Sequence, residues 1–171
     1  MNKETGTRYE CESTCPVVIY KIREKYIVVN SLAHLSGSSE ILEIVNPELL
    51  RLVISAKQNR SKKIKMIGSD ESRSKIGTRT LLDSIGVVTL GAFPYNNELY
   101  YIVTDHERTF LAKLIDRKFE FVELLMDRHI TGYSPRVIKN DDQSVRFFFD
   151  YDAAPGYFQI KENEITFYKF K

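Results

Sequence analysis

The chain has 171 residues, of which 43% are apolar and 28% charged, with a formal net charge of +2. That content can bury one core plus a small appendage and excludes a disordered tail, while so small a net charge does not mark the whole protein as a nucleic-acid binder. No apolar run approaches the roughly 20 residues of a membrane-spanning helix, and residues 1–5 lack the apolar stretch of a secretory signal, so a cytoplasmic location without a membrane partner is expected.

The first fifteen residues are polar and are expected to be flexible. They contain both cysteines, Cys11 and Cys15. A structural zinc needs four ligands, and His34, His106 and His129 do not stand at finger-like spacing, so free thiols are expected and neither a metal nor a cofactor. Residues 16–22 read as a strand by their Val-Val-Ile-Tyr content. For residues 23–35, Ile27, Val28, Leu32 and Leu35 suit one face of a helix closed by Gly37. The alternative is a hairpin in which residues 26–29 pair with the preceding strand.

Residues 40–114 form the organising stretch, because apolar runs alternate with charged, helix-forming runs. Residues 41–45 predict a buried strand, and Asn46-Pro47 caps a helix over 47–58 with Leu49, Leu50, Leu52, Val53 and Ala56 on one side. Residues 64–68 predict a second strand. A charged helix follows from Asp70 through Ile76, Leu81, Leu82 and Ile85, closed by Gly86. Residues 87–90 and 99–104 predict two further strands, residues 105–108 a turn, and residues 109–114 a returning antiparallel strand. The β-α-β-α-β-β order implies an α/β core over residues 16–130, a mixed sheet with helices on both faces. Residues 119–126 fit a strand or a helix.

Gly132-Tyr133-Ser134-Pro135 breaks the chain, and residues 131–171 read as a C-terminal β appendage. Its three strand-like runs, 145–151, 157–160 and 165–170, form an antiparallel meander with Glu162-Asn163 as a hairpin turn. Three strands alone are marginal. The aromatic runs Phe147-Phe148-Phe149-Tyr151 and Phe167-Tyr168-Phe170 therefore point to a protein-interaction surface, with homodimerisation as its simplest cover.

No phosphate loop or nucleophile elbow is present. At Gly68-Ser69-Asp70-Glu71 two carboxylates stand where a phosphate would need donors. Residues 57–79 carry Lys57, Arg60, Lys62, Lys63, Lys65, Arg73, Lys75 and Arg79 against Asp70 and Glu71. That run is the candidate for nucleic-acid contact, a reading not favoured because the aromatics that would stack on bases lie elsewhere.

The element order over residues 40–114 resembles one half of the phospholipase D-like fold. Active members of that family carry His-x-Lys-x4-Asp on a strand late in the unit. Setting Asp105 at the aspartate places Glu98 at the histidine and Tyr100 at the lysine, so the resemblance implies no phosphodiesterase activity and no catalytic residues. A catalytically empty version is similar to the effector half of archaeal TrmB-type sugar-responsive transcription regulators, over residues 17–125. No winged helix precedes it here, which argues against direct DNA binding. Val29-Asn30 through Gly37 is also faintly similar to PAS sensor domains. The function implied is non-enzymatic: a ligand-sensing or regulatory domain. Its small polar ligand would sit at strand ends among Asn46, Ser69, Asp70, Glu98, Tyr100 and Asp105.

Overall fold

The computed structural model describes residues 9–10, 16–32, 37–47, 51–52, 77–130, 136–142, 144–149, 156–162 and 164–170. Among them the protein is β throughout, with no α-helix. In chain order the strands are β1 (Tyr9–Glu10), β2 (Pro16–Ile22), β3 (Lys25–Leu32), β4 (Ser38–Ile44), β5 (Arg51–Leu52), β6 (Thr78–Ile85) and β7 (Val88–Tyr95). They continue as β8 (Glu98–Thr104), β9 (Thr109–Ile115), β10 (Lys118–Met126), β11 (Arg136–Lys139), β12 (Val145–Phe149), β13 (Gly156–Lys161) and β14 (Glu164–Lys169). Three four-stranded sheets result, ordered β2-β3-β4-β6, β7-β8-β9-β10 and β11-β12-β13-β14, besides a small β1-β5 ladder. Every pairing is antiparallel. The second and third sheets are meanders of consecutive strands, as are β2, β3 and β4 of the first; there the short β5 falls between β4 and β6 in the chain and pairs with β1 instead.

Tight turns make these meanders. Arg23-Glu24, Asn96-Asn97 and Asp116-Arg117 each have positive φ at both residues, from 46° to 65°. Two successive left-handed residues turn an antiparallel pair in the sense that matches strand twist.

The sheets stack through two apolar layers. Ile27, Val29, Ile41 and Leu82 of the first sheet meet Ala92, Tyr101, Val103, Phe110 and Ala112 of the middle one. On the middle sheet's other face, Leu90, Phe93, Ile102 and Leu111 meet Val145, Phe147, Phe158 and Ile160 of the third. The alternation in β8 shows the logic, because Tyr101 and Val103 point one way and Ile102 the other. At Gly91 a Cβ would come within 3.2 Å of both Phe147 and Val137, so the missing side chain lets β7 approach the third sheet.

Two polar contacts tie β7 to the first sheet. The Tyr20 hydroxyl donates to the Ala92 carbonyl at 2.7 Å. The fully buried Ser39 hydroxyl donates to the Val87 carbonyl at 2.8 Å and accepts from the Thr89 amide at 2.6 Å and the Thr89 hydroxyl at 2.9 Å. One proton and two lone pairs are all in use.

The α/β expectation is overturned. Residues 25–32, read as helix, are strand β3 in a hairpin with β2, the alternative reading. Residues 78–85, assigned to a charged helix, are strand β6, paired antiparallel with β4. No parallel crossover runs from β4, because both of its neighbours are antiparallel. The helix over 47–58 is contradicted at Arg51–Leu52, which pair with β1. Its other residues beyond Pro47, and the strand over 64–68, lie outside the described residues. Residues 118–126 resolve as strand. The strands expected near 41–45, 87–90, 99–104 and 109–114 and the C-terminal meander are present, with β11 added to that meander.

Ser39→Ala would leave the Thr89 amide and Val87 carbonyl buried without their partner, and should cost about 2–3 kcal/mol. Urea unfolding should show a lower midpoint with an unchanged slope. An unchanged midpoint would mean that this hydroxyl does not hold the junction.

Candidate functional site

The residues grouped by the strand-end reading do not come together. Glu98 opens β8 and Asp105 follows its end, so they stand roughly 24 Å apart at about 3.4 Å per strand residue. Glu98 is exposed and pairs with Lys113 at 2.6 Å, a contact that holds its carboxyl below the usual range. The Lys113 ammonium also lies 4.8 Å from the centre of the Tyr100 ring, which in turn stacks on Phe93 and meets Tyr95 edge-on. Glu98 and Tyr100 thus belong to a cross-strand ion pair with an aromatic shelf. Asp105 builds the β8-β9 turn. Partial burial acts to raise its carboxyl, but hydrogen bonds from the Arg108 and Glu107 amides outweigh that and hold it low. His106 is exposed beside this turn, against Gly37 and Gly86.

Asn46 is exposed, and its amide donates to the Gly77 carbonyl at 3.1 Å. Ser69 and Asp70 lie outside the described residues, as do Lys57, Arg60, Lys62, Lys63, Lys65 and Arg73 of the basic run, His34 and both cysteines. Among the described residues no group of three or more His, Cys, Asp or Glu side chains could hold a metal, and no helix is long and apolar enough to cross a membrane.

One buried charge has a structural task. The Glu43 side chain is 7% exposed and receives the Arg79 guanidinium on one oxygen, with Lys25 at 3.3 Å from the other. Burial pushes its carboxyl up, but the two cations together pull it below its ordinary value.

The third sheet carries a large feature that these ion pairs and turns leave unexplained. Strand alternation sends Val145, Phe147, Phe158, Ile160 and Ile165 into the core and turns Arg146, Phe148, Tyr157, Gln159, Thr166 and Tyr168 outward. Register places Phe148, Tyr157 and Tyr168 directly opposite one another on three adjacent strands. Ring centres are 5.0 Å apart for Phe148–Tyr157 and 4.8 Å for Tyr157–Tyr168, the latter pair inclined by only 12°. Phe170 extends the row, 5.9 Å from Tyr157 and 46% exposed, while Tyr168 is 41% exposed. A second, polar row runs alongside. Arg146 lies 5.8 Å from the Tyr157 ring centre and donates to Gln159 at 3.2 Å. Beyond it, Gln159, Lys161, Glu162, Glu164, Thr166 and Tyr168 line a hollow of about 240 Å3.

The sequence flagged this aromatic tail by composition. It could not separate Phe147, fully buried, from Phe148, which faces out, because that parity depends on register. Nothing in the sequence marks Tyr157 as an outward-facing residue, since its parity too depends on register. Tyr151 lies outside the described residues.

No protein-family model, curated protein or solved structure matches the chain. No relative therefore bears on the phospholipase D-like resemblance in either direction.

Because the carboxyl of Glu43 titrates low in the fold, its stabilising contribution is present above the ordinary carboxylate range and is lost as pH falls through the lowered value. Glu43→Gln should cost about 1–3 kcal/mol at neutral pH. The penalty should shrink in acid, as pH falls through the lowered value at which the wild-type carboxyl loses its charge. Urea midpoints of both proteins at neutral and acid pH check this, and a penalty independent of pH would refute it.

Proposed function

We propose that the protein is a cytoplasmic, non-enzymatic docking module that acts through the outer face of its C-terminal sheet. The observation that carries this reading is the in-register row Phe148–Tyr157–Tyr168, extended by Phe170 and flanked by Arg146. Tyrosine, phenylalanine and arginine dominate the centres of protein interfaces, where large rigid rings bury area at little entropic cost. Contiguous apolar surface rimmed by polar groups marks interaction sites, and here Tyr168 and Phe170 are exposed while Phe148 and Tyr157 are half-buried. Gln159, Thr166 and Lys161 give that row the polar rim such surfaces have.

A photo-crosslinking residue placed at position 168 should give protein adducts in cells. The same group at Lys21, exposed on the first sheet, should give none above background. Equal yields at the two positions would remove the reading.

A second reading, sensing of a small polar ligand, shifts from the strand ends to the hollow beside Tyr168. Its amide, hydroxyl and carboxylate lining, with one ring as a wall, matches the hydroxyls and flat face of a saccharide. Neutral sugars should then raise the unfolding temperature of the wild type and leave that of Thr166→Val unchanged. A flat response across a broad sugar panel would dismiss this second reading alone.

A further inference from the structure

We infer that the free edge of the third sheet, strand β14, is a recognition site for an extended strand of another protein, taken up antiparallel through main-chain hydrogen bonds. The inference goes beyond the outer-face reading above, because it rests on backbone groups and not on the row of rings.

A strand at the rim of a sheet keeps a row of N–H and C=O groups that its single neighbour cannot reach, and folds blunt such rims with bulges, prolines or short strands. Five of the six rims of the three large sheets carry such a device. Strand β2 opens on Pro16 and shifts register before Val18. Strand β6 is shifted against β4 between Ile41 and Leu42. Strand β7 holds Pro94 and a shift between Thr89 and Gly91, β10 has two shifts, and β11 is only four residues long. Strand β14 carries none of these. Its six residues pair with β13 one for one without a shift, and no strand lies beyond it among the described residues.

The edge is also held ready. Ile165 packs against the core, and the Phe167 ring centre lies 5.4 Å from that of the buried Phe158. A Cβ at Gly156 would come within 2.4 Å of the Tyr168 carbonyl oxygen, so the missing side chain lets the β14 backbone seat closely on β13. A strand fixed in this way needs little further ordering when it binds.

The rim sets what fits it. Only another extended backbone presents donors and acceptors at the spacing of a strand, and antiparallel pairing is slightly the more stable per residue. Side chains then select among such segments. Phe167, on the core-facing side, is still 39% exposed, and Tyr168, on the opposite side, is 41% exposed. A partner strand covers both by placing aromatic or β-branched side chains across from them. Charge stands only at the two ends, with Glu164 first and Lys169 last, and Lys169 is opposite Gly156, which offers it no side chain on β13. An antiparallel partner that matches these ends opens with an acid and closes with a lysine or arginine.

The capped peptide Glu-Tyr-Val-Thr-Val-Lys carries that pattern and serves as the probe. Titrated into the isotope-labelled full chain, it should slow hydrogen exchange at alternate amides within residues 164–169 by about ten-fold or more, with half-saturation below about 1 mM. N-methylation of one alternate set of the peptide's amides should abolish binding, and N-methylation of the other set should leave it nearly unchanged, because one set faces β14 and the other faces water. Lys169→Glu should weaken the peptide, and a peptide opening with lysine in place of glutamate should recover the loss. Absence of protection at about 2 mM peptide, equal behaviour of the two N-methylated peptides, or protection appearing on β10 in place of β14 would each overturn the inference. Protection of β14 that grows with protein concentration alone would overturn it too, by giving the edge to a second copy. The outer-face reading stands or falls on the crosslinks at position 168, whichever result the peptide gives.

Discussion

A β-sheet with both faces buried has no position to spare for an unpaired polar side chain, and the middle sheet accepts that constraint along its whole centre. Tyr101, Val103, Phe110 and Ala112 seal one face against the first sheet, and Ile102, Leu111 and Phe93 seal the other against the third. The polar groups that intrude are satisfied: Ser39 with Thr89 and Val87 and Tyr20 with the Ala92 carbonyl where the first two sheets join, and Thr109 with the amide of Ile130 and the carbonyl of Arg128 just beyond β10. No buried side-chain nitrogen or oxygen among the described residues lacks a partner. The flanking sheets inherit their orientation from this layer, and with it which of their own residues face water.

The same constraint explains why the sequence is misleading about class. Strands covered on both faces read as continuous apolar runs, such as Tyr100-Tyr101-Ile102-Val103 and Phe110-Leu111-Ala112. In most proteins that signature belongs to parallel sheets buried under helices. Here other sheets do the covering, and the apolar run carries no mark that tells the two cases apart. Strand positions were legible for that reason while their partners were not. Residues 25–32 were misread through Ile27, Val28 and Leu32, which suit a helix as well as a strand. The deciding signal was the Arg23-Glu24 turn, two residues without the Asn-Gly chemistry that usually marks such a bend. Residues 78–85 were misread because Leu81, Leu82 and Ile85 mimic helical spacing, although only Leu82 among them is buried.

The candidate site was legible in composition and illegible in geometry. A motif alignment can set Glu98, Tyr100 and Asp105 side by side on paper, but an extended strand moves Asp105 to the far end of β8. The aromatic tail was visible as an excess of rings. Its division into a buried set and an outward set follows only from the β12-β13-β14 register, in which Phe147 faces Phe158 and Phe148 faces Tyr157. A one-residue slip would exchange the two sets and bury Arg146, so the hydrophobic demand of the middle sheet is what fixes which rings face outward.

The most direct measurement is native-state hydrogen exchange across the chain in increasing denaturant. If burial on both faces of the middle sheet holds the fold, the amides of residues 101–103 and 111–112 should exchange only through global unfolding, with the same denaturant dependence as the whole protein. Faster, denaturant-insensitive exchange there, with the slowest amides confined to an outer sheet, would contradict a structure built on that layer.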